Sequence, residues 1–106
     1  MAKYLFRGRY VGKGVEGLLK EGGTARREAA GKAIASLGGK LESLYYAFGE
    51  DDVVGVVDMP DAVSAVALSL IINASGAVGL HLTPLITPEE VDAASKKRPT
   101  YRPPGQ

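Results

Sequence analysis

The chain has 106 residues, a formal charge of +1, a single His, no Cys and no Trp. This length suits one domain burying roughly 60 to 70% of its unfolded surface, and the composition excludes a disulfide framework, a thiolate metal site, a redox motif, a nucleophilic cysteine and a poly-histidine metal centre. The balance of 13 basic and 12 acidic residues gives no electrostatic footprint for nucleic acid or an anionic membrane.

Met1 to Val11 scatters Lys3, Arg7 and Arg9 among its apolar residues, so it lacks the unbroken apolar core of a signal peptide and a cytoplasmic location is expected. Within it Tyr4, Phe6, Gly8 and Tyr10 alternate with Leu5, Arg7, Arg9 and Val11, which predicts a strand with two chemically different faces. Val15 to Lys20 predicts a short helical turn, broken at Gly22 and Gly23, after which Thr24 is the expected N-cap of a longer helix reaching Leu37. Its apolar stripe is Ala30, Ala33, Ile34 and Leu37, with Arg26, Arg27, Glu28 and Lys32 on a wet face and Gly38 and Gly39 as the stop.

Lys40 to Phe48 and Val53 to Asp58 predict a hairpin closed by Gly49, Glu50, Asp51 and Asp52. The second strand is apolar on both faces, as a strand in the sheet interior is. Pro60 and Asp61 open a helix that continues to about Ser75 and is apolar nearly all round, which predicts cover from another subunit. Ala62 to Leu80 carries no charge, yet the helix-stop signal Asn73, Ala74, Ser75, Gly76 leaves too few residues for a membrane span of ~20. Ala77 to Ile86 reads as the last strand, placed at an edge or ended by Pro84. Thr87, Pro88 and Glu90 then form a capping-box helix start, and the Pro-rich segment 98–106 reads as an extended arm after a domain spanning 1–97. The order predicts an α+β, ferredoxin-like βαββαβ fold: a four-stranded antiparallel sheet with a short C-terminal helix and an extended tail.

Few residues carry chemistry. Gly12, Gly14 and Gly17 spell G-x-G-x-x-G after a strand, but the helix breaks at Gly22 and no acidic residue ends the next strand, so a dinucleotide site is not expected. Those glycines read as loop joints, with an anion nest beside Lys13 as the other option. Arg7, Arg9 and Lys13 could clamp an anion, or else neutralise acids or sit at a subunit contact. Tyr4, Tyr10, Tyr45 and Tyr46 are strand phenols suited to packing or to lining a pocket, with Tyr46 the one placed in a ligand set with Arg7, Arg9 and Lys13. His81 alone has an unperturbed pKa near neutrality and, with Tyr10, is the acid-base candidate. Glu50, Asp51 and Asp52 lack the spacing of a calcium loop, so no metal is expected.

The run GKGVEGLLKEGG, the segment LGGKLESLYYAFGEDDVV, the MPD helix start, the NASGAV stop, LTPLITPEEVD and the YRPPG tail together resemble the GYD-domain family across essentially the whole chain. Gly49 and Asp52 fit the residues for which the family is named, while Asp51 stands where its tyrosine would. The resemblance implies a ferredoxin-like α+β fold of the type that pairs sheets into dimeric barrels, and it implies no particular reaction.

The residues and the resemblance together predict a small cytoplasmic homo-oligomer acting by binding or assembly, without a cofactor. Its partners are further copies of itself and a small molecule, not nucleic acid or membrane. The alternative is a cofactor-independent enzyme, isomerase- or monooxygenase-like, acting on a small apolar or aromatic metabolite.

Overall fold

Alternation decides the first element. Tyr4, Phe6 and Gly8 are buried while Lys3, Arg7 and Arg9 are exposed, so β1 (Ala2–Tyr10) divides the molecule into a covered and an open side. The computed structural model describes all of residues 1–106. After β1 come α1 (Lys13–Glu21), α2 (Gly23–Ser36), β2 (Lys40–Tyr46), β3 (Val53–Met59), α3 (Ala62–Ala74), β4 (Val78–Leu85) and α4 (Pro88–Ser95). The four strands form one antiparallel sheet in the order β2-β3-β1-β4. This is the ferredoxin-like order, with α1 and α2 replacing the first helix and α4 appended.

The sheet positions agree with strand composition. β3, apolar on both faces, lies between β2 and β1, and its Val57 and Met59 are fully buried. β4 is an edge strand, which is why Pro84 is tolerated inside it, opposite Tyr4. β2 ends at Tyr46 rather than Phe48, because Phe48 takes a left-handed conformation with φ of 53° and leaves the ladder. The core joins Tyr4, Phe6, Val53, Val57, Met59 and Leu80 of the sheet to Ile34, Ala65 and Leu68 of the helices.

Two joints differ from expectation. The second helix starts at Gly23, one residue before Thr24, with Gly22 at φ +86° as its cap and no capping side chain. Glu28 and Lys32, four residues apart on α2, do not pair; Arg26 instead reaches back across the break to Glu21, Nη1 to Oε2 3.3 Å. The G-x-G-x-x-G segment is a packing joint. The Gly14 amide donates to the Val11 carbonyl at 2.6 Å, the Val11 amide donates to Ala77 at 3.0 Å, and a Cβ on Gly14 would overlap the Ala77 carbonyl.

α3 is capped by Asp61, whose carboxylate accepts from the Ser64 amide at 2.7 Å; this bond holds the carboxyl below its ordinary pKa. At the other end Asn73 does more than stop the helix. Its Oδ1 accepts from the Leu80 amide at 2.8 Å and its Nδ2 donates to the Leu80 carbonyl at 3.1 Å, so one side chain satisfies both outward backbone groups of an edge-strand residue. α4 carries the capping box, with Thr87 Oγ1 accepting from the Glu90 amide at 3.1 Å and Glu90 Oε1 from the Thr87 amide at 2.9 Å. Every residue of α4 and of the arm beyond it is exposed. No helix is long and apolar enough to cross a membrane.

The clamp makes a prediction. Asn73→Ala leaves the Leu80 amide and carbonyl without protein partners, and is expected to lower stability by about 1–2 kcal/mol, the loss of part-buried hydrogen bonds offset in part by better helix propensity. Urea unfolding should show a lower midpoint at unchanged slope; an unchanged midpoint would contradict the assignment.

Candidate functional site

Helices cover only one side of the sheet, and the covered side holds a cavity of about 160 Å³. Its floor is Phe6, Val53, Val57 and Leu80, and its roof is α2 with Ala29, Ala30 and Ala33. The cause is residue size. Between Arg26 and Ile34 the sheet-facing positions of α2 are alanines, so the helix sits against the sheet without side chains long enough to fill the gap. Of the sixteen lining residues, Arg26 alone is charged. It stands four residues before Ala30 and seven before Ala33, on the same helical stripe, and its partly exposed side chain lines the cavity while Nη1 lies near Glu21.

Two phenols stand at this end. Tyr46 donates its hydroxyl to the Gly23 carbonyl at 3.0 Å, and a Cβ on Gly23 would lie 2.9 Å from the Tyr46 ring, so the glycine is what lets the ring lie against the start of α2. The ring also stacks on Phe48 with centroids 6.2 Å apart. Burial, and then the neighbouring Tyr10 phenol, push the Tyr46 pKa up to about 12, opposed by Arg26 and Arg27. Tyr46 is therefore a neutral donor throughout the physiological range. Tyr10 lines the cavity itself, and its position is fixed through the backbone. The Tyr10 amide donates to Asp52 Oδ2 at 2.9 Å while the Asp52 amide donates to the Gly8 carbonyl at 2.9 Å, hooking the hairpin turn onto the end of β1.

The open side holds a different set. Register places Tyr45, Val54, Arg7 and His81 as neighbours in one row across all four strands, so Arg7 and His81 lie side by side. Arg7 also faces Asp51, Nη1 to Oδ2 4.0 Å. Lys3 is gripped by Glu42 at 2.6 Å and Asp58 at 3.1 Å, bonds that raise its pKa and lower that of Asp58. Arg9 is exposed on this side of β1, and Lys13 is exposed at the start of α1.

The candidate residues are thus divided by the sheet. Tyr10 and Tyr46 come together beside the cavity, whereas Arg7, Arg9 and His81 occupy the other face. Reading Arg26 as part of the wet face of its helix missed its place in the cavity lining. Its i, i+4, i+7 spacing to Ala30 and Ala33 was the available signal. No cluster of His, Cys, Asp or Glu is arranged to hold a metal ion, and the Asp52 carboxylate is engaged by a backbone amide.

The GYD domain model matches residues 4–94, from the first strand through most of the last helix. The chain belongs to the GYD domain family. No curated protein and no solved structure matches it. In this GYD domain the hairpin Gly49 to Asp52 serves the fold through Asp52, and the departure at Asp51 leaves that hook intact.

The raised Tyr46 pKa fixes a sign. The unfolded phenol ionises near 10 and the folded one near 12, so its contribution to stability is complete below pH 10 and is lost as pH rises toward 12. Chemical denaturation between pH 9 and about 12 should show a falling midpoint whose slope is shallower in Tyr46→Phe; equal slopes in the two proteins would contradict the assignment.

Proposed function

We propose that this GYD-domain protein works as a homo-oligomeric binding protein that holds a small, largely apolar molecule between its sheet and α2, without transforming it. The observation that carries this reading is the cavity itself. Its volume of about 160 Å³ is close to that of the roughly 150 Å³ engineered apolar cavity that stays dry and takes up benzene. Few acid-base groups meet the cavity: His81 lies on the opposite face, and Tyr46, held protonated, stands beside the cavity and not in its lining. The enzyme reading keeps one point in its favour, since Tyr10 lines the cavity.

The oligomer part rests on the open face. Leu5, Val54 and Val56 form a half-buried apolar centre there, with no layer of this chain above them, and Arg7, Lys3, Asp51 and Asp58 stand around it. An apolar centre with a charged rim of both signs suits a second copy turned through a two-fold axis. Packing of two such sheets, the arrangement implied by the family resemblance, buries this face in the way a sandwich does.

Two measurements test these parts separately. Toluene should raise the melting temperature of the full chain, and Ala30→Leu, which fills the cavity, should abolish that rise while leaving the protein folded. A toluene effect that survives Ala30→Leu, or no effect in either protein, overturns the pocket reading. In sedimentation the chain should be an oligomer at micromolar concentration, and Val56→Lys should weaken association by roughly thirtyfold or more, as loss of a central interface residue does. A wild-type monomer under these conditions overturns the assembly reading.

A further inference from the structure

Resting on the cavity as a ligand site, we propose that its occupant is a monocarboxylic acid whose apolar part is about the size of one six-membered ring, seated with its carboxylate on Arg26. Volume sets the body. A cavity of about 160 Å³ accommodates a single ring or an aliphatic chain of similar bulk.

Charge sets the head. Arg26 is the one charged group in the lining, and a guanidinium matches a carboxylate through paired N–H donors. Arg26 is the one cation of the lining itself, with Arg27 outside it in the neighbouring groove beside Tyr46, so the lining offers one guanidinium to one carboxylate. Arg26 is also available. Its partner Glu21 lies 3.3 Å away, with the two side chains 37% and 49% exposed, and ion pairs so open to water hold their members weakly. The head would not need complete dehydration, because the guanidinium sits where the cavity meets solvent. Acid and ring would therefore each meet the environment that suits it.

The phenols add direction. Tyr46 stands close enough to Tyr10, Arg26 and Arg27 to feel all three, so the polar groups gather at one end of an otherwise apolar chamber. Tyr46 commits its proton to the Gly23 carbonyl, which leaves Tyr10 as the phenol whose ring touches the chamber. A neutral apolar molecule would make no use of this asymmetry. An amphiphilic anion would be oriented by it.

The test uses the full chain and three probes, benzoate, toluene and acetate, titrated with the backbone amide spectrum as readout. Benzoate should bind on the order of tenfold or more tightly than either the ring alone or the head alone. Arg26→Gln should bring benzoate down to the level of toluene and leave toluene unchanged, which also shows that the variant is folded, and Arg26→Lys should restore part of the loss. If benzoate and toluene bind equally, or Arg26→Gln weakens both alike, the anionic head is wrong and the apolar pocket stands. If none of the three probes binds, the pocket and the proposal fall together.

Discussion

The period of two along β1 is the constraint from which the rest follows. β1 is bonded on one edge to β3 and on the other to β4, so every residue in it is committed to one of two faces and a slip by one position would exchange Tyr4, Phe6 and Gly8 for Leu5, Arg7 and Arg9. The helices lie over the first set because two aromatic side chains and a glycine can be buried there, and arginines cannot. Once that side is chosen, Tyr10 faces the helices and Arg7 faces away. The hook from Asp52 to the C-terminal end of β1 then holds the hairpin turn against the same strand, so the position of Tyr46 relative to Tyr10 is inherited from β1.

Much of this is legible in the sequence. Alternation gave the strands, the glycine pairs gave the helix ends, and Thr87 with Glu90 gave the last cap, because each of these signals is local and has one physical meaning. Register was not legible. Whether Arg7 meets His81 or Tyr46 depends on which residues pair across strands far apart in sequence, and only the ladder decides it: Arg7 pairs with His81, while Tyr46 pairs with Val53 on the other face. Long-range side-chain bonds were hidden for the same reason. Asn73 read as a helix stop because that is what Asn before Ser and Gly does locally, whereas its bonds to Leu80 depend on β4 returning alongside α3.

The candidate cavity was hidden differently. Ala30 and Ala33 form an apolar stripe in the sequence, but a stripe of alanines and a stripe of leucines have the same period and opposite consequences for volume. Against a sheet floor of Phe6, Val53, Val57 and Leu80, small side chains on the helix leave space that larger ones would fill. Arg26 escaped for a related reason: a charged residue at the start of a stripe counts as wet by type, although its aliphatic stem packs like an apolar side chain.

That space is energetically significant for so small a domain. At about 24 cal/mol per Å³, a cavity of about 160 Å³ corresponds to at most about 4 kcal/mol of packing forgone, against total stabilities of roughly 5–15 kcal/mol for domains in general. Exposed apolar surface adds to the same account, since Val63 is 80% exposed, Leu70 67% and Ile71 68% on the outer side of α3. A chain that leaves both an interior space and an outer apolar helix face unfilled is not tuned for the stability of the single chain alone, because Ala→Leu changes in α2 and polar changes on α3 would each be simple remedies. The two features differ in shape. The cavity lies between the chain's own sheet and helices and has the dimensions of a small molecule, whereas the α3 surface is broad, shallow and open to solvent.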